Sequence, residues 1–130
     1  MRMVNSFIFL AILALLSGCS MAQTNSQSDP DQQVLDQLKA AGSDLSKSHK
    51  IEFFLYFPSE EKAKNAAVDL RKEGLTAEVR TAAIGADWLC FGTKEMVPRH
   101  SELVRLRKVF ERLAKNLNGE YDGWGSPVVK

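Results

Sequence analysis

Apolar and polar positions alternate with a period of two in "HKIEFFLYF", where Ile51, Phe53, Leu55 and Phe57 are interleaved with Glu52, Phe54 and Tyr56. That period, with so many aromatic residues, predicts a β-strand. Pro58 stops it, and Ser59 can cap a helix whose first turn holds Glu60 and Glu61 near its positive end. Ala63, Ala66, Ala67 and Leu70 then recur at helical spacing. A stripe of such small side chains lets a helix lie close on a sheet. Gly74 is the expected left-handed stop. In "LTAEVRTAA", Ala77, Val79 and Thr81 alternate against Glu78 and Arg80, which predicts a second strand; "IGAD" turns the chain. "WLCFGT" is a third strand, more apolar and therefore more central, and "MVP" ends it. Pro98 opens a long helix, with Leu103, Leu106, Phe110, Leu113 and Leu117 on one face and Gly119 as its stop. The closing "EYDGWGSPVV" contains Pro127, which cannot donate to a central ladder, so any last strand is short and on an edge. Upstream, Asp29 can cap a helix with Pro30 at its first position, and Val34, Leu35, Leu38 and Ala41 share a face before Gly42.

The order is a short helix, then β-α-β-β-α, then a short β. It predicts an α+β fold of the ferredoxin-like kind: one antiparallel sheet with both long helices on one face.

The first 30 residues have a different character. Phe7–Leu16, "FIFLAILALL", is an unbroken apolar run behind Arg2. A membrane-spanning helix needs ~20 residues, so this run has the length of a signal-peptide core instead. "LSGC" follows and resembles the lipobox of bacterial lipoproteins. The resemblance implies cleavage before Cys19, lipidation of its thiol and acylation of the new amino group. The other reading is an ordinary signal cleaved near Ala22, with Cys19 removed. Residues 1–18 are thus expected to be a signal peptide and 19–30 a lipidated cysteine with a polar, flexible tether. Residues 31–130 form the domain. Ser20 after the cysteine points, by resemblance to the lipoprotein sorting pattern, to the outer membrane, on its periplasmic side. Residues 1–18 carry only Arg2, so without them the 17 Lys and Arg become 16, equal to the 16 Asp and Glu. No net field then draws the chain to nucleic acid. Cys90 is the other cysteine of the two, so the core must hold the fold without an internal disulfide.

"GSDLSKSHKIEFFLYFPSEEKAKNAAVDLRKEG", "WLCFGTKEMVP" and "EYDGWG" resemble the regulator of ribonuclease E activity B family, over about Gln32–Val129. "SDLSK", "FLYFP", "MVP" and "EYDGWG" fall in the family's order and spacing. The resemblance implies a cytoplasmic protein, not itself an enzyme, that binds the endoribonuclease and inhibits it. The N-terminal residues depart from the family pattern. A lipid-anchored protein outside the cytoplasm cannot meet a cytoplasmic ribonuclease, so the fold carries over further than the function.

Little in the chain suggests catalysis, a metal or a cofactor. His49, before a strand, and His100, opening a helix, show no metal-ligand spacing with Cys90 or Asp87 and are expected to be solvated. Cys90, between apolar neighbours, reads as an inert buried thiol. There is no nucleophile elbow, P-loop or dinucleotide fingerprint. Arg105, Lys108, Arg112 and Lys115 form a basic stripe that reads as a solvated face, with Glu111 four residues after Arg107 as a local pair. On the sheet, Phe54 and Tyr56 point away from the helices, joined by either Trp88 or Phe91. Nucleic acid could stack there, but the RNA-recognition strand signature is missing. Cover by the helix starting at Asp31, or by a protein partner, remains. In "EYDGWG", glycines, an aspartate suited to turns and a tryptophan needing one hydrogen-bond partner fit a structural clasp. The same residues, Tyr121, Asp122 and Trp124, are also the candidate recognition patch for an unidentified protein, together with Phe54 and Tyr56.

Overall fold

The computed structural model describes residues 29–130. The signal segment, Cys19 and most of the tether lie outside the described residues. The elements are α1 (Pro30–Ala40), β1 (His49–Phe57), α2 (Glu60–Lys72), β2 (Thr76–Thr81), β3 (Trp88–Met96), α3 (His100–Asn116) and β4 (Glu120–Gly125). The strands form one sheet in the order β2-β3-β1-β4, every neighbouring pair antiparallel. This is the ferredoxin-like sandwich, with the two most apolar strands in the middle.

The period-two pattern of β1 becomes a two-faced strand. Ile51, Phe53 and Leu55 are fully buried and Phe57 nearly so, all beneath the helices. α2 contributes Ala63, Ala66, Ala67 and Leu70 to the same core, as its small-residue stripe predicts. The close approach continues into the sheet. A Cβ at Gly92 of β3 would stand 2.6 Å from Leu70 and 2.8 Å from Leu75, so no side chain fits there. α3 buries Leu103, Leu106, Phe110 and Ala114, with Leu113 and Leu117 half-buried beside them. Phe110 meets Phe53 edge to face, ring centroids 5.2 Å apart. Ser59 caps α2 by accepting from the Lys62 amide, and Asp29 caps α1 by accepting from Asp31 N, with Pro30 at the first helical position.

Four expectations are corrected. β3 runs to Met96, beyond "WLCFGT", because β1 offers it a partner along its whole length from His49↔Met96 to Phe57↔Trp88. Pro98 does not open α3. It is buried ahead of it, and the helix starts at His100 behind Arg99, which gives no side-chain cap. His49 is not solvated: it is 1% exposed. Its Nδ1 lies 2.9 Å from the Lys47 carbonyl and its Nε2 2.6 Å from Ser43 Oγ, and Ser43 Oγ in turn accepts from the Val129 amide. The "SDLSK" stretch thereby ties the C-terminal tail to the start of β1. Finally, α1 does not cover Phe54 and Tyr56. Leu35 and Leu38 join the core beneath the helices, Ala41 is exposed, and α1 leans on α3 beside the β4 edge. The reason is Asp31, a buried carboxylate on the Leu35–Leu38 face that finds its donors only there.

Candidate partner-binding site

β4 is the "EYDGWG" stretch itself. In a regular strand Tyr121 and Trp124, three positions apart, would point to opposite faces. The register against β1 prevents this. Phe54 lies opposite Gly123 but Leu55 lies opposite Tyr121, so Asp122 is an extra residue in a β-bulge. A bulge re-aims the side chains around it. Here it turns both aromatic rings under α3. Trp124 is 7% exposed, and Tyr121 packs on Phe110 with centroids 5.8 Å apart. Gly123 supplies the backbone the bulge requires, at φ +122°.

Trp124 donates its indole N–H to Asp31 Oδ1 at 3.1 Å, and Arg107 Nε donates to Asp31 Oδ2 at 2.7 Å. Asp31 is 2% exposed. A buried carboxylate persists only when paired and hydrogen-bonded, and Asp31 is both. The same guanidinium approaches Asp29 at 3.6 Å and Glu111 at 4.0 Å. Trp124 is therefore clasped, and its ring is no exposed anchor.

Beside the clasp an open groove of about 350 Å³ runs between the first turn of α1, α3 and β4. Asp31, Arg107, Glu111, Tyr121, Asp122 and Trp124 line it. Its electrostatics are negative, three carboxylates against one guanidinium. Burial, then Asp31, push the Tyr121 hydroxyl well above the usual phenol range, with Glu111 and Asp122 adding to the rise and Arg107 opposing it. That hydroxyl is buried and has no hydrogen-bond partner among the described residues. Burial and the neighbouring Glu120 push the Asp122 carboxyl up as well.

The opposite face of the sheet is open. Phe54 packs on Phe91 with centroids 5.3 Å apart, and the Arg80 guanidinium lies 4.8 Å from the Phe91 centroid. Phe91, not Trp88, is thus the aromatic that joins Phe54 and Tyr56; Trp88 pairs with Phe57 and packs on the core. Phe54, Tyr56 and Phe91 are each half-buried, and no helix among the described residues crosses them. Gly123, opposite Phe54, adds no side chain. Asp122 joins the two surfaces: its charge raises both the Tyr56 and the Tyr121 hydroxyl pKa, in each case behind the larger effect of burial.

Other candidates stay apart from this site. Cys90 is fully buried on the helix side, and burial pushes its thiol up to about 11, which suppresses the nucleophilic thiolate. Asp29 Oδ2 accepts from His100 Nε2 at 2.7 Å, so His100 is engaged where α3 begins. Among the described residues no group of three or more His, Cys, Asp or Glu is placed to hold a metal. Lys108, Arg112 and Lys115 are exposed, and Arg105 pairs with Glu102 and Glu73. The sequence gives Arg107 and Glu111 only as a local pair and Asp31 only as the start of a helix, and places none of them in a groove. A cue existed for Asp31 and Arg107. Asp31 shares a helical face with Leu35 and Leu38, and Arg107 flanks Leu103 and Phe110. A charge on an apolar stripe signals a buried partner.

Fold and site together define a small ferredoxin-like α+β domain with an uncovered aromatic sheet face and a clasped, acidic groove at one sheet edge. The family model described as Regulator of ribonuclease activity B matches residues 28–126, and the chain belongs to that family. By that description it is a family of regulators of ribonuclease activity. A search of the curated proteins finds no match.

Proposed function

We propose that this chain is a protein-binding regulator with no catalysis of its own, held at a membrane by lipid on Cys19. It faces the periplasm from the outer membrane and meets its partner through the open face of the sheet. The observation that carries the reading is the uncovered Phe54–Phe91 pair in a member of a regulator family. Aromatic residues are enriched where proteins meet. The anchor rests on the apolar run Phe7–Leu16 followed by "LSGC". Two or more acyl chains hold a protein at a membrane stably, where one does so marginally.

The family match favours a second reading, inhibition of ribonuclease E by direct binding in the cytoplasm, with the N-terminal segment unused as a signal. Labelling with a fatty acid, followed by cell fractionation, separates the two. The first reading expects label on the wild type, none on Cys19→Ala, and protein in the membrane fraction. A soluble, unlabelled, full-length chain that slows ribonuclease E cleavage of a defined RNA supports the second and sinks the first.

A further inference from the structure

We propose that the groove between α1, α3 and β4 is a receptor for a basic side chain, arginine above all, presented by the partner protein. The carrier of that side chain rests on the protein-binding reading above. The groove itself stands on its geometry. Arg107 is already committed to Asp31 at 2.7 Å, whereas Glu111 reaches Arg107 only at 4.0 Å. Asp122 makes no hydrogen bond or ion pair among the described residues. A buried hydroxyl without a partner, Tyr121 Oη, sits among these carboxylates. A phenol oxygen can accept, and a carboxylate only accepts when ionised, so the unmet demand is for donors and positive charge. A guanidinium supplies both: its rigid fork can divide its N–H groups between carboxylates and a phenol oxygen. Its plane also suits the half-buried Tyr121 ring that lines the groove. An ammonium fits the charge but not the plane. A phosphate or an acidic peptide is repelled, which sets this groove apart from a nucleic-acid surface. Asp122 sits in the bulge where the groove meets the open sheet face, so one partner can engage both surfaces.

In the full chain carrying Trp88→Phe, Trp124 is the sole indole and reports on its own groove. The probes are short glycine–serine peptides bearing arginine, lysine or glutamate at the same positions. The arginine peptide is expected to shift Trp124 emission saturably, at or below about 1 mM, with lysine several-fold weaker and glutamate inert. Asp122→Asn with Glu111→Gln is expected to weaken the arginine peptide about tenfold or more, and Tyr121→Phe to weaken it with no fall in the unfolding midpoint. An arginine response that never saturates, equal binding of the glutamate peptide, or unchanged affinity in the double variant overturns the proposal. Should the double variant melt early, Asp122→Asn alone, outside the Asp31 hydrogen bonds, decides the point. Loss of peptide binding bears on the groove only. Phe54→Ala in the same chain, assayed for partner binding, bears on the proposed function, so the two can fail separately.

Discussion

Asp31 serves two donors with one carboxylate, the Trp124 indole and the Arg107 guanidinium. Asp31→Ala leaves the indole without its acceptor and Arg107 with only Asp29 at 3.6 Å and Glu111 at 4.0 Å. Breaking a buried pair by removing one partner costs about 3–5 kcal/mol. Arg107 keeps 22% of its side-chain surface in water, so the lower end, about 3 kcal/mol, is expected in a urea titration. A second variant tests the core directly. Phe110 is fully buried, edge-on to Phe53 and tilted against Tyr121. Phe110→Ala should cost about 3–5 kcal/mol, a severe loss for a domain of typical stability about 5–15 kcal/mol. A midpoint unchanged within error would show that ring to contribute nothing. The Phe110 prediction was legible from helical spacing alone. The Asp31 prediction was legible only in part: its place on the Leu35–Leu38 face signals a buried partner, but which donors it takes shows only in the fold.

At the scale of elements, the bulge in β4 and the staple between α1 and α3 each make a separable claim. Gly123 holds φ +122°, where a side chain is strained although no atom lies within 4 Å of the added Cβ. Gly123→Ala is therefore expected to cost about 1–3 kcal/mol. Gly125→Ala, two residues on and equally unobstructed but without the positive φ, should stay within about 0.5 kcal/mol. Equal effects in thermal unfolding would mean that the bulge is not what requires glycine. The staple is Asp29, which caps α1 and reaches His100 at the start of α3, 2.7 Å away. The His100 hydrogen bond is the largest cause holding the Asp29 carboxyl below its ordinary 3.8; the Asp31 amide and Arg107 add to it. A folded-state pKa below the unfolded value contributes stability that is complete above the ordinary value and is lost as pH falls through the depressed one. His100→Ala should therefore move the Asp29 titration, followed by carboxyl carbon NMR, upward toward 3.8, and start acid unfolding at a higher pH.

For the whole molecule, the sheet divides the labour. One face is sealed by α2 and α3, and the other presents Phe54, Tyr56 and Phe91. Replacing Phe54 and Phe91 together by Ala should weaken partner binding about tenfold or more, as loss of aromatic anchors does. The far-UV circular dichroism spectrum should stay that of the wild type, because neither ring belongs to the core beneath the helices. Co-purification from cells expressing the wild type and the double variant checks this, and equal recovery of the partner would remove the open face from the interface.

The period-two strands, the small-residue stripe of α2, the apolar stripe of α3 and the caps at Asp29 and Ser59 were all determined by the sequence itself. Each depends on contacts or hydrogen bonds whose spacing along the chain is set by helix or strand geometry. The buried face of β1 followed from alternation for the same reason. What needed the tertiary structure depends on partners distant in sequence. Tyr121 and Trp124 share a face only because Asp122 is extruded against β1, a register that neither strand states alone. α1 lies by α3 rather than across Phe54 because Asp31 finds Arg107 and Trp124, 76 and 93 residues away. His49 is buried because Ser43 and the C-terminal tail close over it. In each case a polar group had a choice of partners, and only the folded chain, by excluding water, made that choice.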